Sequence, residues 1–101
     1  MREGYVYMMS NKSHRLYIGA TTDLVLRARQ QKEGTYPNAF TARYKFDRLV
    51  YFEVLDSYRS ALRREKYLKG LLRRKKVAMI QRDNPNWLDL SARFDDLLLA
   101  R

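Results

Sequence analysis

Two short β-forming runs flank a polar stretch near the start of the chain, and this arrangement constrains the fold more than any other feature. Tyr5-Val6-Tyr7-Met8-Met9 and Leu16-Tyr17-Ile18-Gly19 are rich in aromatic and branched side chains. Ser10-Asn11-Lys12-Ser13-His14-Arg15 between them is polar. Pleated backbone favours the first composition and turns favour the second, so the pattern predicts an antiparallel hairpin. Thr21-Thr22-Asp23 then supplies N-cap chemistry for a helix over residues 23–32, with Gly34 just past its end.

The remaining elements follow from the same cues. A short second helix is expected over residues 38–44, after Pro37. Leu49–Val54 reads as a third strand, and its nearly continuous apolar character points to a central or well-covered position. Asp56-Ser57 caps a helix over Tyr58–Lys69, with Gly70 as its C′ residue. Another helix runs from Leu71 or Leu72 to Arg82 and stops before Asn84-Pro85, because the residue before a proline disfavours helix. Trp87, Leu88 and Leu90 read as a packing clamp, and Phe94 with Leu97-Leu98-Leu99 as a final helical turn or two. The order is ββα(α)βαα: an α+β domain with a small, mainly antiparallel three-stranded sheet flanked by helices. One domain is expected over residues 1–90, with a C-terminal helical extension over 91–101.

Composition excludes several classes of function. A chain of 101 residues affords one core and not comfortably two. It has no cysteine, which removes disulfide scaffolds, thiol catalysis and thiolate zinc sites. No apolar run approaches the ~18 residues of a membrane span, and no apolar stretch follows the N-terminus as a signal peptide would require. A cytoplasmic protein without membrane contact is the expectation.

Charge is the informative quantity. The formal net charge is +10, and the window from Arg59 to Arg82 carries +9 of it. Arg59, Arg63, Arg64, Lys66, Lys69, Arg73, Arg74, Lys75, Lys76 and Arg82 stand there against a single acid, Glu65. Such a footprint points to a polyanion, most often nucleic acid; a membrane surface or solvated helix faces are the alternatives.

Two ionisable residues interrupt apolar stripes. Arg27 shares a helix face with Leu24, Ala28 and Gln31, where it either lays its stem on the core and snorkels or meets a ligand. Glu65 falls among Tyr58, Ala61, Leu62 and Leu68. It either pairs with Arg63, Arg64 or Lys69, or offers a carboxylate to a hard cation such as Mg²⁺. Tyr5 and Tyr7 alternate onto one strand face, with Tyr17 on the next strand. A tyrosine titrates near ~10, so any basic role needs nearby positive charge or metal. His14 lies alone in the turn, solvated or in contact with phosphate.

Taken in order, these residues resemble the GIY-YIG nuclease domain, in particular its small single-domain bacterial branch, similar to the nuclease half of the excision-repair endonuclease. Tyr5-Val6-Tyr7 stands where the family often has Gly-Ile-Tyr, and Tyr17-Ile18-Gly19 matches Tyr-Ile-Gly in full. Thr22-Asp23-Leu24 with Arg27 fits the helix start, and Leu62-Arg63-Arg64-Glu65-Lys66 fits the segment that carries the family's metal-binding Glu. Asn84-Pro85-Asn86-Trp87-Leu88-Asp89-Leu90 resembles the closing Asn-Pro-x-Trp segment. The resemblance spans residues 4–90 and implies phosphodiester hydrolysis with one divalent cation, Mg²⁺ or Mn²⁺. Carried across, Tyr17 would activate water, Tyr7 orient it, Arg27 steady the phosphate charge and Glu65 bind the metal. Two departures stand out: Tyr5 replaces the first Gly, and Gln31 sits where some members have His. Asn84 and Asn86 are both candidates for the site Asn of larger members.

The leading expectation is therefore a metal-dependent DNA endonuclease, structure-selective and linked to repair or recombination, acting as a monomer or weak homo-oligomer. Arg59, Arg63, Arg64, Lys66, Lys69, Arg73, Arg74, Lys75 and Lys76 would hold the nucleic acid. The alternatives are a binding module of the same fold without activity, and an interaction protein whose basic helices meet an acidic partner.

Overall fold

A computed structural model describes residues 2–34 and 44–94. The hairpin forms as expected: β1 spans Gly4–Ser10 and β2 spans Leu16–Thr21, antiparallel, with Tyr7 opposite Gly19 and Met9 opposite Tyr17. Asn11 organises the turn. Its Oδ1 accepts from the Ser13 and Arg15 backbone N–H groups at 3.1 and 2.9 Å, and its Nδ2 donates to the Tyr44 carbonyl at 3.0 Å. His14 adopts the left-handed region, with φ 63°. Its ring stacks on Trp87 with centroids 4.1 Å apart, and its carbonyl accepts from Arg73 Nη2 at 2.7 Å. The tip of the hairpin is thus tied to the far end of the chain.

Helix α1 spans Leu24–Glu33. Asp23 is its N-cap, accepting from the Leu26 N–H, and Gly34 closes it at φ 69°. Strand β3, Arg48–Leu55, pairs antiparallel with β1, so the sheet order is β2-β1-β3. The apolar run in β3 therefore does not mark a central strand. β1 is central, and β3 is an edge strand whose apolar residues are covered on both faces, save Val54 at 54% exposure. Helix α2 spans Tyr58–Lys69, with Ser57 Oγ accepting from the Ser60 N–H at 3.1 Å. Gly70 ends α2 in the right-handed region (φ −82°), not as a left-handed C′ glycine. Helix α3 spans Arg73–Asp83. The helix expected over 38–44 falls, apart from Tyr44, outside the described residues, and so do Leu97, Leu98 and Leu99.

The sheet is covered on both faces. Tyr7, Met9 and Leu49 pack with Leu24, Ala28 and Phe46 on the α1 side. Val6, Met8, Ile18, Val50 and Tyr51 pack with Leu68, Ile80 and Trp87 on the α2–α3 side. The stripe expected on α2 is narrower than the sequence implied. Ala61 and Leu68 are fully buried, whereas Tyr58 and Leu62 are about two-fifths exposed. At 100° per residue Leu62 turns away from the seam that Ala61 begins. Of the expected clamp, Trp87 is buried and Leu90 half-buried, but Leu88 is exposed. Asn84 and Asp89 brace this last segment. Asn84 Nδ2 donates to the Val50 and Leu88 carbonyls at 3.2 and 2.9 Å, and Asp89 Oδ1 accepts from the Leu49 N–H at 3.1 Å.

Candidate active site

Alternation along β1 and β2 places the tyrosines. Tyr5, Tyr7 and Tyr17 all leave the sheet on the α1 side, because each is an even number of positions from the others in register. Tyr7 is almost wholly buried, and its ring lies across Gly19: a Cβ built there would stand 2.6 Å from Tyr7 Cζ. Gly19 is thus required by the tyrosine opposite it. The Tyr7 and Tyr17 rings are 6.4 Å apart and tilted by 46°, and Tyr17 in turn meets Phe46 at 5.9 Å.

Leu24 and Ala28 press α1 into the same layer, so Arg27, half-buried one turn after its start, belongs to the helix that roofs the two tyrosines. Gln31, one turn further, is buried, and its Nε2 has no hydrogen-bond partner among the described residues. It occupies the position where a histidine was the alternative, and it carries no titratable proton.

Glu65 projects from α2, which packs mainly on β1 and β2 from the opposite side of the sheet. Its carboxylate is 20% exposed and accepts from Lys69 Nζ at 3.3 Å, one turn along. The tyrosines and α1 are therefore brought together in one layer, while Glu65 comes from the helix on the other face; β2, the edge strand carrying Tyr17, lies between them. Among the described residues no group of three or more His, Asp and Glu side chains could hold a metal ion. Glu65 does fit the sparser demand of Mg²⁺, which takes one or two carboxylates and completes its shell with water and phosphate oxygens.

The basic residues divide into two sets. Arg59, Arg63, Lys66, Arg74 and Lys75 are exposed, and Lys76 is half-buried. Arg64, Lys69 and Arg73 have partners within the fold: Glu53, Glu65 and the His14 carbonyl. The first turn of α3 contains no acid and begins with Arg73-Arg74-Lys75-Lys76, and its N-cap Leu72 offers no side-chain acceptor. Cations there oppose the helix dipole, so that turn carries concentrated positive potential.

One cluster had little voice in the sequence. Arg64 Nε and Nη2 donate to Glu53 Oε1 and Oε2 at 2.8 and 3.0 Å, and Tyr51 Oη donates to Glu53 Oε2. Burial pushes the Tyr51 hydroxyl up to about 12, helped by its bond to Glu53. Burial also pushes Glu53 up, but the Arg64 and Tyr51 hydrogen bonds outweigh it and hold the carboxyl below its ordinary value. The available signal was that Glu53 is the single charge in the run Leu49–Val54. Asn84 is also resolved: its amide is spent on backbone groups of Val50 and Leu88, whereas Asn86 is exposed.

Residues 3–78 match the model of the GIY-YIG catalytic domain. The chain belongs to the GIY-YIG family. It is 36% identical over 76 residues to a UPF0213 protein of Clostridium perfringens, covering 75% of this chain and 81% of that one. It is 29% identical over 83 residues to a UPF0213 protein of Syntrophus aciditrophicus, covering 82% of this chain and 95% of that one. The solution NMR structure of a UPF0213 protein from Bacillus halodurans is 33% identical and covers 78% of this chain and 83% of its own, with a TM-score of 0.49. The GIY-YIG family is generally one of nucleases, so membership suggests a nuclease-type function and implies a nucleic acid substrate. Among the described residues no helix is long and apolar enough to cross a membrane.

Proposed function

We propose that this GIY-YIG domain is a divalent-metal-dependent endonuclease that hydrolyses phosphodiester bonds in DNA, with structure-selective cleavage in repair or recombination as its setting. The observation that carries the reading is the packing of Tyr7 across Gly19 beside Tyr17, under the helix that bears Arg27. Tyr17 in its phenolate form, which nearby positive charge favours, takes the proton of the attacking water as the bond from phosphorus to the leaving sugar oxygen breaks, and Tyr7, locked by burial, orients that water. Arg27 presents a guanidinium to the charge that develops on the phosphate. Glu65 holds the metal, which when bound supplies Lewis-acid polarisation and charge neutralisation at the phosphate. Arg59, Arg63, Lys66, Arg74, Lys75 and Lys76 hold the backbone of the nucleic acid, and Lys69 and Arg73 join them if they leave their present partners. Gln31 cannot relay a proton, so proton transfer rests on the tyrosines.

The test is cleavage of branched, nicked and single-stranded DNA, and of RNA, with Mg²⁺ or Mn²⁺. Glu65→Ala, Tyr17→Phe and Arg27→Ala should each lower kcat by about 10²-fold or more. Activity surviving in all three variants belongs to another site or to a contaminant. Binding without cleavage in the wild type would establish the binding-module reading instead.

A further inference from the structure

We infer that Glu53 and Arg64 are positioning residues: their bidentate pair sets the roll of α2 and thereby the placement of Glu65. This rests on the reading of Glu65 as the metal ligand.

Ala61 and Leu68 are the fully buried residues of α2, and they define the line facing the sheet. At 100° per residue, Arg64 and Glu65 lie about 50° to either side of that line. Arg64 leans toward β3 and bonds Glu53, so Glu65 leans the other way. The seam is narrow, with one alanine and one leucine as its fully buried members. The helix start is held by close backbone approach: a Cβ at Gly4 would stand 2.7 Å from Tyr58 Cα. That contact fixes the end of the helix and acts as a pivot.

To this narrow seam the Glu53–Arg64 pair adds a polar restraint on one side. Glu53 lies on the α2 face of β3, opposite Val6 in register, and its side chain is only 22% exposed. Two parallel N–H···O bonds fix a guanidinium in both distance and plane, which a lysine cannot do. Tyr51 fixes the carboxylate from the strand side, and Arg64 also lies 5.2 Å from the Tyr67 ring centroid. If the clamp is released, the roll carries Glu65, the next residue along.

The test uses the full chain with Glu53→Gln and Arg64→Lys. Residual dipolar couplings of the α2 amides report roll directly, and Mn²⁺-induced broadening near Glu65 reports metal placement. Both variants should show altered α2 couplings, Mn²⁺ affinity lower by about 10- to 100-fold, and a kcat loss with KM for DNA nearly unchanged. Unchanged couplings in a folded variant overturn the inference, as does a loss confined to KM. If Glu53→Gln fails to fold, Arg64→Lys, which keeps a cation beside Glu53, carries the same measurements. If wild type and Glu65→Gln are alike in Mn²⁺ broadening and in cleavage, it is the metal-ligand reading that fails, and the couplings still decide whether the clamp sets the roll.

Discussion

Tyr7 and Gly19 face each other across β1 and β2 so closely that any side chain at position 19 collides with the phenol ring. The Tyr-Ile-Gly string thus has a steric meaning: its glycine makes room for a tyrosine on the neighbouring strand. Gly19→Ala should displace Tyr7 and cost about 1–3 kcal/mol from overpacking. Urea denaturation measures that cost. Cleavage by the folded fraction should fall as well, and Tyr7→Phe with Gly19→Ala should recover part of the stability by removing the hydroxyl.

Asn84 serves the fold. It makes three hydrogen bonds to the Val50 and Leu88 backbone, two as donor and one as acceptor. Asn84→Ala strands buried backbone groups and should cost about 1–3 kcal/mol. Thermal unfolding should show the loss, while kcat per folded molecule stays near wild type. Asn86→Ala, at an exposed position, should leave stability unchanged.

Asp89 gives the fold a pH dependence of definite sign. Burial pushes its carboxyl up, but bonds from Lys32, Ser91 and the Leu49 N–H outweigh burial and hold it below its ordinary value. A depressed folded-state pKa contributes stability that is complete above the unfolded value and is lost as pH falls through the folded one. Asp89→Asn should therefore be less stable by about 1–3 kcal/mol at neutral pH, and the gap to wild type should close as pH drops below about 4. Denaturation midpoints at a series of pH values measure this.

Nucleic-acid affinity should fall steeply with salt, because phosphate contacts release counterions. Replacing Arg63, exposed and on the outer face of α2, with Ala should reduce the slope of log K against log salt by about 1. Arg64→Ala should change the slope less, since Glu53 already neutralises that guanidinium. Fluorescence anisotropy with labelled DNA at several salt concentrations separates the two.

The sequence by itself determined the elements and their order. Strand composition, the Asp23 and Ser57 caps and the Gly34 stop are local properties, and local backbone and side-chain energetics set them. The family signature was legible for the same reason: Tyr7, Tyr17, Arg27 and Glu65 are each bound to a position within one element. What the tertiary structure decided were the relations between elements. An apolar run cannot say whether both faces of a strand are covered in the middle of a sheet or at its edge, so β3 read as central or well-covered, and the structure makes it a covered edge strand. Helical spacing could not say where α2 meets the sheet, so Tyr58 and Leu62 read as core. Nor could it say that Arg64 of α2 spends its charge on Glu53, eleven residues earlier on β3. A cation's partner is set by which surfaces come within about 4 Å after packing, and the composition of a +9 window holds no such distance.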